Sequence, residues 1–298
     1  MKNDKLMING QVTSASGVKD AFDPADAEHI IKDLSQDDSA CYAKSAGGSY
    51  GVLTLSLNPY DTRFFSQKIG NVKYYGGEIS DTEYRDLLSE ILRCAKEKKY
   101  KYLYYKLPEA QSFLKDATQN LGFDLCITNI DFCLDFKNWQ KNPEVDKPGY
   151  VLRESTVKDT EAVQEITSDA FRRSRLYQTG FIPTEEVDEY HRQWVKNIID
   201  HENDTMFLVE KDGKVCGYLS IEVDADTRTS RFLLGAVEKS ERRQGLWHIL
   251  VQACFEKASR GADCIYAKTQ ESNVPSVTCW RNYGFEELGH EYGYHKIF

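Results

Sequence analysis

The sequence predicts an α/β chain of two units, each a mixed sheet with helices packed against it. Its 298 residues exceed the usual size of one domain, so two units of about 150 residues are expected. Strand-like and helix-like runs alternate through both halves. Both halves also close alike: Asn120-Leu121-Gly122-Phe123 leads into a strand run ending at Phe136, and Asn282-Tyr283-Gly284-Phe285 into one ending at Phe298. The simplest account is two copies of one fold, residues 1–140 and 150–298, the first degenerate.

In the first half, Ile30, Ile31 and Leu34 recur at helical spacing after a polar arm. Residues 51–75 alternate and are rich in β-formers, and Asn58-Pro59-Tyr60-Asp61 predicts a turn between two strands. Ser80-Asp81-Thr82-Glu83 is a capping box, and Tyr84, Leu87, Leu88, Ile91, Leu92 and Ala95 share one face of the helix it opens. Tyr100–Leu107 reads as a strand, 112–123 as a helix ending on Gly122, and 124–136 as a further strand. The polar run 137–149, with two prolines, is the expected linker.

The second half opens with a strand at 150–155 and helices over 157–174 and 184–201. A hairpin over 206–224 turns at Lys211-Asp212-Gly213-Lys214, where Asp-Gly is a strong turn signal. A strand over 231–238 then meets a basic loop, Arg242-Arg243-Gln244-Gly245-Leu246-Trp247, and a helix. Glycine at such a junction lets peptide N–H groups approach an anion, the helix adds its positive end, and arginines add charge. A solvated basic turn would give the same six residues. The remainder of the chain favours an anion site, because it supplies a strand at 264–270, Asn273, a short helix, Gly284-Phe285 and a last strand in that order.

With these residues in that order the second half resembles the GNAT acetyltransferase superfamily, whose acyl-CoA signature is matched at Arg242 and Gly245. Trp247 departs from it, standing where a small residue is usual. The resemblance implies acetyl-CoA as co-substrate, no metal, and an amine acceptor. It implies cofactor contacts from Leu234, Ala236, Val237, Arg242, Arg243, Gln244, Gly245, Leu246, Trp247, Asn273 and Trp280, with the strand at 233–237 splayed from its neighbour. More narrowly the chain is similar to nucleotide-sugar amine acetyltransferases of the TDP-fucosamine kind. Tyr60-Asp61-Thr62-Arg63-Phe64-Phe65, Tyr190 to Val195 with Asn197, and Thr269-Gln270 with Asn273 and Trp280 carry that likeness.

Acyl transfer from a thioester needs a neutral amine, a polarised carbonyl and a proton for the leaving thiolate. Relatives often place an acidic Tyr where Trp280 stands, so Tyr283 and water are the alternatives for protonating sulfur. Candidate bases are Glu222, His191, His248, His290 and His295, the last favoured because the final strand borders the acceptor in the family. Arg172, Arg173, Arg175 and Tyr177 make a basic aromatic cluster suited to a nucleotide diphosphate or to an ordinary solvated helix end, and Gln270 is a further acceptor candidate.

The 38 Lys and Arg against 47 Asp and Glu give a net charge of −9, which argues against a nucleic-acid surface. No run approaches a membrane span and the first residues lack an apolar leader core, so a cytoplasmic protein is expected. The eight cysteines lack metal-ligand spacing and read as reduced thiols. Edge strands suit a homodimer. Acetylation of a peptide or small amine, and a non-catalytic CoA-sensing or scaffold module, remain the competing functions.

Overall fold

The computed structural model describes residues 5–8, 11–13, 19, 22–35, 38–46, 49–139, 147–168 and 170–298. The chain forms two compact units, one of residues 1–128 with 290–298, the other of residues 129–289.

The first unit holds strands β1 (Lys5–Ile8), β2 (Gln11–Thr13), β3 (Ala40–Ala46), β4 (Ser49–Leu57), β5 (Ile69–Gly76) and β6 (Tyr102–Pro108). Its helices are α1 (Pro24–Leu34), α2 (Pro59–Phe65), α3 (Asp81–Glu97) and α4 (Lys115–Asn120). Strands β3, β4 and β5 form an antiparallel meander; α3 then crosses over to β6, parallel to β5. The Ser80 capping box forms with both of its hydrogen bonds, and Tyr84, Leu87, Leu88, Ile91 and Ala95 enter the core as their spacing predicts. The expected turn at 58–61 is instead helix α2. Asn58 caps it by accepting from the Asp61 N–H at 3.0 Å, and Pro59 fits its first position, where no N–H is needed.

The second unit holds β8 (Tyr150–Glu154), β9 (Asp204–Lys211), β10 (Lys214–Asp224), β11 (Thr229–Val237) and β12 (Cys264–Gln270), after β7 (Asp124–Asp135). Its helices are α5 (Thr160–Thr167), α6 (Arg175–Gln178), α7 (Thr184–Asp200), α8 (Leu246–Ala258) and α9 (Val274–Asn282). The plan of the first unit recurs: β9, β10 and β11 form an antiparallel meander, and α8 crosses over to β12, parallel to β11. Asp212 and Gly213 both take positive φ, 52° and 76°, as the tight hairpin between β9 and β10 requires. The helix expected over 157–174 stops at Thr167, whose buried hydroxyl bonds back to the Val163 carbonyl and to Tyr218. Helices α8 and α9 cover one face of this sheet over a core of Leu219, Ile221, Leu250, Phe255 and Phe285; α5 and α7 cover the other over Tyr218, Leu234 and Ala236.

The boundary expected at 137–149, of which 140–146 lie outside the described residues, differs from the division between compact units. The last strand of each half is the reason. Residues 129–135 of β7 pair antiparallel with β12 in the second unit. Residues 291–297 of β13 (Glu286–Ile297) pair antiparallel with β6 in the first.

Candidate active site

The site is built on an interruption of the second sheet. Strands β11 and β12 pair over three residues, Thr229, Ser230 and Arg231 against Cys264, Ile265 and Tyr266, and no further. From Phe232 to Val237 the β12-side edge of β11 is unpaired with that strand. A β-bulge accompanies the parting: Phe232 pairs with Ile221 and Gly235 with Leu219, so Leu233 and Leu234 together face Ser220. Both leucines pack on the α5 and α7 side, breaking the alternation.

Peptide groups on β11 alternate between its two edges. Leu234 N–H donates to Ser220 Oγ at 3.0 Å and Glu238 N–H to the Cys216 carbonyl at 2.8 Å, so the even-numbered amides of this stretch point at β10. Gly235 and Val237 therefore turn their N–H groups to the gap. The N–H of Leu234 is engaged and that of Ala236 faces β10, whereas Gly235, absent from the sequence-based set, presents one.

The gap leads into the basic loop. Gly245 has φ 79° and is the N-cap of α8, with no side chain accepting from the first-turn amides and no acidic residue in that turn. Arg243 also takes a left-handed φ of 64°. Arg242, Arg243 and Gln244 are exposed, and the Arg242 Nε donates to the Val237 carbonyl at 3.0 Å, tying the loop to the strand. Lys147 bonds the Gln244 carbonyl, and Tyr150 donates to Glu241 at 2.6 Å from behind. A helix start with free amides, a left-handed glycine and two exposed arginines is a place for an anion.

The half-buried Trp247 turns its ring toward β11. A Cβ added to Gly235 would lie 2.9 and 3.0 Å from two ring carbons of Trp247, so the indole rests on the bare backbone of β11. The Gly in this strand makes room for the Trp that replaces the usual small residue. Trp280 is buried at 4% exposure, stacks on Phe232 with centroids 4.8 Å apart, and its Nε1 has no partner among the described residues. Tyr283 stacks on His248 and its hydroxyl lies 2.7 Å from His248 Nδ1. Burial pushes this phenol above the ordinary tyrosine range.

Residues 161–285, which hold the gap, the loop, Trp247 and Trp280, match the Acetyltransferase (GNAT) family. This stretch belongs to the GNAT acetyltransferases. The chain is 20% identical to the spore coat polysaccharide biosynthesis protein SpsD of Bacillus subtilis (strain 168) over 82% of its length and 83% of that protein's. It is 27% identical to the beta-lysine N(6)-acetyltransferase of Methanosarcina mazei over 52% of each chain. A tandem GNAT protein from the clavulanic acid biosynthesis pathway superposes with a TM-score of 0.56 at 15% identity, covering 88% of this chain and 84% of that one. Residues 161–285 thus form a GNAT acetyltransferase domain.

The GNAT domain gathers some sequence-based candidates and disperses others. Asn273 stands at the N-cap position of α9 without a side-chain capping bond, its Nδ2 reaching Thr269 Oγ1 at 3.4 Å; Gln270 ends β12 opposite Asn129. Glu222 is held through two nitrogens of Arg231, at the closed end of the gap where β11 still pairs with β12. Arg172 pairs with Asp188 at 3.0 Å and lies over the Tyr177 ring, whose hydroxyl also donates to Asp188. Tyr177 and Phe171 both stack on a buried His191, at 5.5 and 5.3 Å, and the His191 Nδ1 is 2.8 Å from the Val187 carbonyl. Arg175 opens the short α6. His295 lies in the first unit, on β13 opposite Tyr104 and against Tyr102, with a buried Nδ1 that has no partner among the described residues. Burial pushes its imidazole below the ordinary value, and Asp124 partly offsets this.

Among the described residues no group of three or more His, Cys, Asp or Glu could hold a metal ion, and no helix is long and apolar enough to cross a membrane.

Proposed function

We propose that the second unit transfers the acetyl group of acetyl-CoA to the amine of a nucleotide-linked amino sugar. The observation that carries the first part is the gap between β11 and β12 opening onto the uncapped start of α8. Acetyl-CoA supplies an activated acyl group as a thioester. The amides of the first turn of α8, with Arg242 and Arg243, would hold its anionic end, where the left-handed Gly245 leaves the approach open. Gly235 and Val237 N–H groups would hold the pantetheine and polarise the thioester carbonyl. Rigid backbone donors in a gap walled by Phe232, Trp247 and Trp280 need no reorganisation as charge develops on the oxygen.

Proton handling follows from the same side chains. The Trp280 indole is not a usable acid, and burial makes the Tyr283 phenol a weaker acid than an ordinary tyrosine, with its hydroxyl 2.7 Å from His248 Nδ1. Water is left to protonate the thiolate, tolerable for a thiol of ordinary pKa ~8.5. Deprotonation of the attacking ammonium is assigned to no single residue.

The sugar acceptor is favoured by the likeness to the spore coat polysaccharide protein, which spans most of both chains. The beta-lysine enzyme matches over half of each chain and supports an amine acceptor of any kind. Calorimetry with acetyl-CoA, followed by turnover on TDP-amino sugars and on free amino acids including beta-lysine, tests both steps. We expect micromolar binding and turnover with the nucleotide sugars. Binding with turnover only on free amino acids would overturn the acceptor, and Gly245→Glu binding acetyl-CoA as wild type does would overturn the anion site.

A further inference from the structure

We propose that Ser220 is a positioning residue for acyl transfer, its hydroxyl fixing the bulge that decides which peptide groups of β11 face the gap. The proposal rests on the acetyl-CoA reading above. In a regular ladder Leu234 would exchange its N–H and C=O with backbone groups of β10, but here Leu233 and Leu234 together face Ser220 and the register breaks. The Ser220 side chain bonds both groups of Leu234. Its Oγ donates to the Leu234 carbonyl at 2.8 Å and accepts from the Leu234 N–H at 3.0 Å. Ser220 and Leu234 are both buried, so removing the hydroxyl takes two hydrogen bonds from the Leu234 peptide where water does not replace them.

The functional weight lies in the register. Strand periodicity is two, so erasing the bulge by one residue would flip every group beyond it. Gly235 and Val237 would then turn their N–H groups to β10, and Leu234 and Ala236 would face the gap. A single buried hydroxyl therefore sets which donors are offered to a thioester, while the first turn of α8 that faces the anionic end lies outside the bulge. Alanine, valine or another apolar residue at 220 could fill the space without holding the Leu234 peptide.

The test uses the full chain. Wild type, Ser220→Ala and Ser220→Thr are titrated with acetyl-CoA and, separately, with adenosine 3′-phosphate 5′-diphosphate, which carries the anionic end alone. We expect Ser220→Ala to bind acetyl-CoA ~10-fold more weakly, as loss of a hydrogen-bonded alignment predicts, to bind the nucleotide unchanged, and to exchange its 232–237 amides faster. Ser220→Thr, which keeps the hydroxyl, restores the acetyl-CoA affinity. An equal loss for both ligands, or unchanged acetyl-CoA binding in Ser220→Ala, overturns the proposal. If wild type binds the nucleotide but not acetyl-CoA, the thioester reading falls; amide exchange in Ser220→Ala then decides the bulge by itself, and unchanged protection overturns it. Should Ser220→Ala fail to fold, Ser220→Cys, with its weaker donor and acceptor, carries the same comparison.

Discussion

The seat of Trp247 on Gly235 can be broken and repaired. In Gly235→Ala the new Cβ would sit 2.5 Å from Leu219 Cδ1 and 2.9 and 3.0 Å from the Trp247 ring. Carbon atoms rest near 3.5–4.0 Å, so the rigid indole must retreat by about 1 Å or the strand must bend. Overpacking of this kind costs about 1–3 kcal/mol. For a unit the size of residues 129–289, 2 kcal/mol corresponds to a melting-temperature drop of roughly 4–8 °C. Because Trp247 is the second residue of α8, its retreat also drags the Leu246 and Trp247 amides, and acetyl-CoA affinity should fall with stability. Trp247→Leu opens the space from the other side and loses indole packing. In the double variant the added methyl and the shortened side chain accommodate each other, so a coupling of about 1–2 kcal/mol in favour of the pair is expected. Chemical denaturation of the four proteins, with an acetyl-CoA titration of each, measures it. Effects that add to within ~0.5 kcal/mol would refute a direct contact between these two residues.

Other predictions concern protons and the loop. Tyr283→Phe should keep acetyl transfer within about threefold of wild type at neutral pH, since burial makes this phenol, bonded to His248, a weaker acid than an ordinary tyrosine toward a thiolate; a loss of about 10² or more in kcat would make it the proton source. His191 should make the second unit acid-sensitive. Its folded pKa lies below the ordinary ~6.5 because the ring is buried between Phe171 and Tyr177. The unfolded chain thus binds the proton first, and stability that is complete above about pH 6.5 is lost as pH falls toward the folded value. Melting curves from about pH 7.5 to 5 should show a smaller decline in His191→Phe than in wild type; an identical decline would place the sensitivity elsewhere. Gly245→Glu, with a side chain at φ 79° and a charge at the helix start, should leave the fold intact and abolish acetyl-CoA binding by calorimetry.

Local chemistry was readable in the sequence where a few neighbouring residues decide the outcome. The Ser80–Glu83 box, the Asp212-Gly213 turn and the left-handed Gly245 are of this kind, since cap, turn and glycine each state their own geometry. Asn58-Pro59 carried two meanings, a turn or a helix start, and only the following Phe64 and Phe65, with Phe65 buried, select the helix. The bulge was hidden because Tyr218 to Val223 and Phe232 to Val237 read as plain strands, and a register is a property of two segments. A glycine inside RFLLGAVE was the one local signal, since an isolated strand glycine marks a bulge or a close approach. His295 stood on the last strand of the half that holds the loop, yet it belongs to the first unit, because hydrophobic alternation does not name the strand's partner.

The reciprocal placement of the final strands has a consequence for how the protein is made. A ribosome delivers β6 long before residues 291–297 exist, so the edge of β6 that they cover must wait, exposed or shielded, until those residues emerge. The second unit is in the opposite position: β7 is already in hand when β12 emerges, and it can close first. A premature stop after Gly289 would spare the stretch that matches the acetyltransferases while removing the edge partner of an untouched N-terminal sequence.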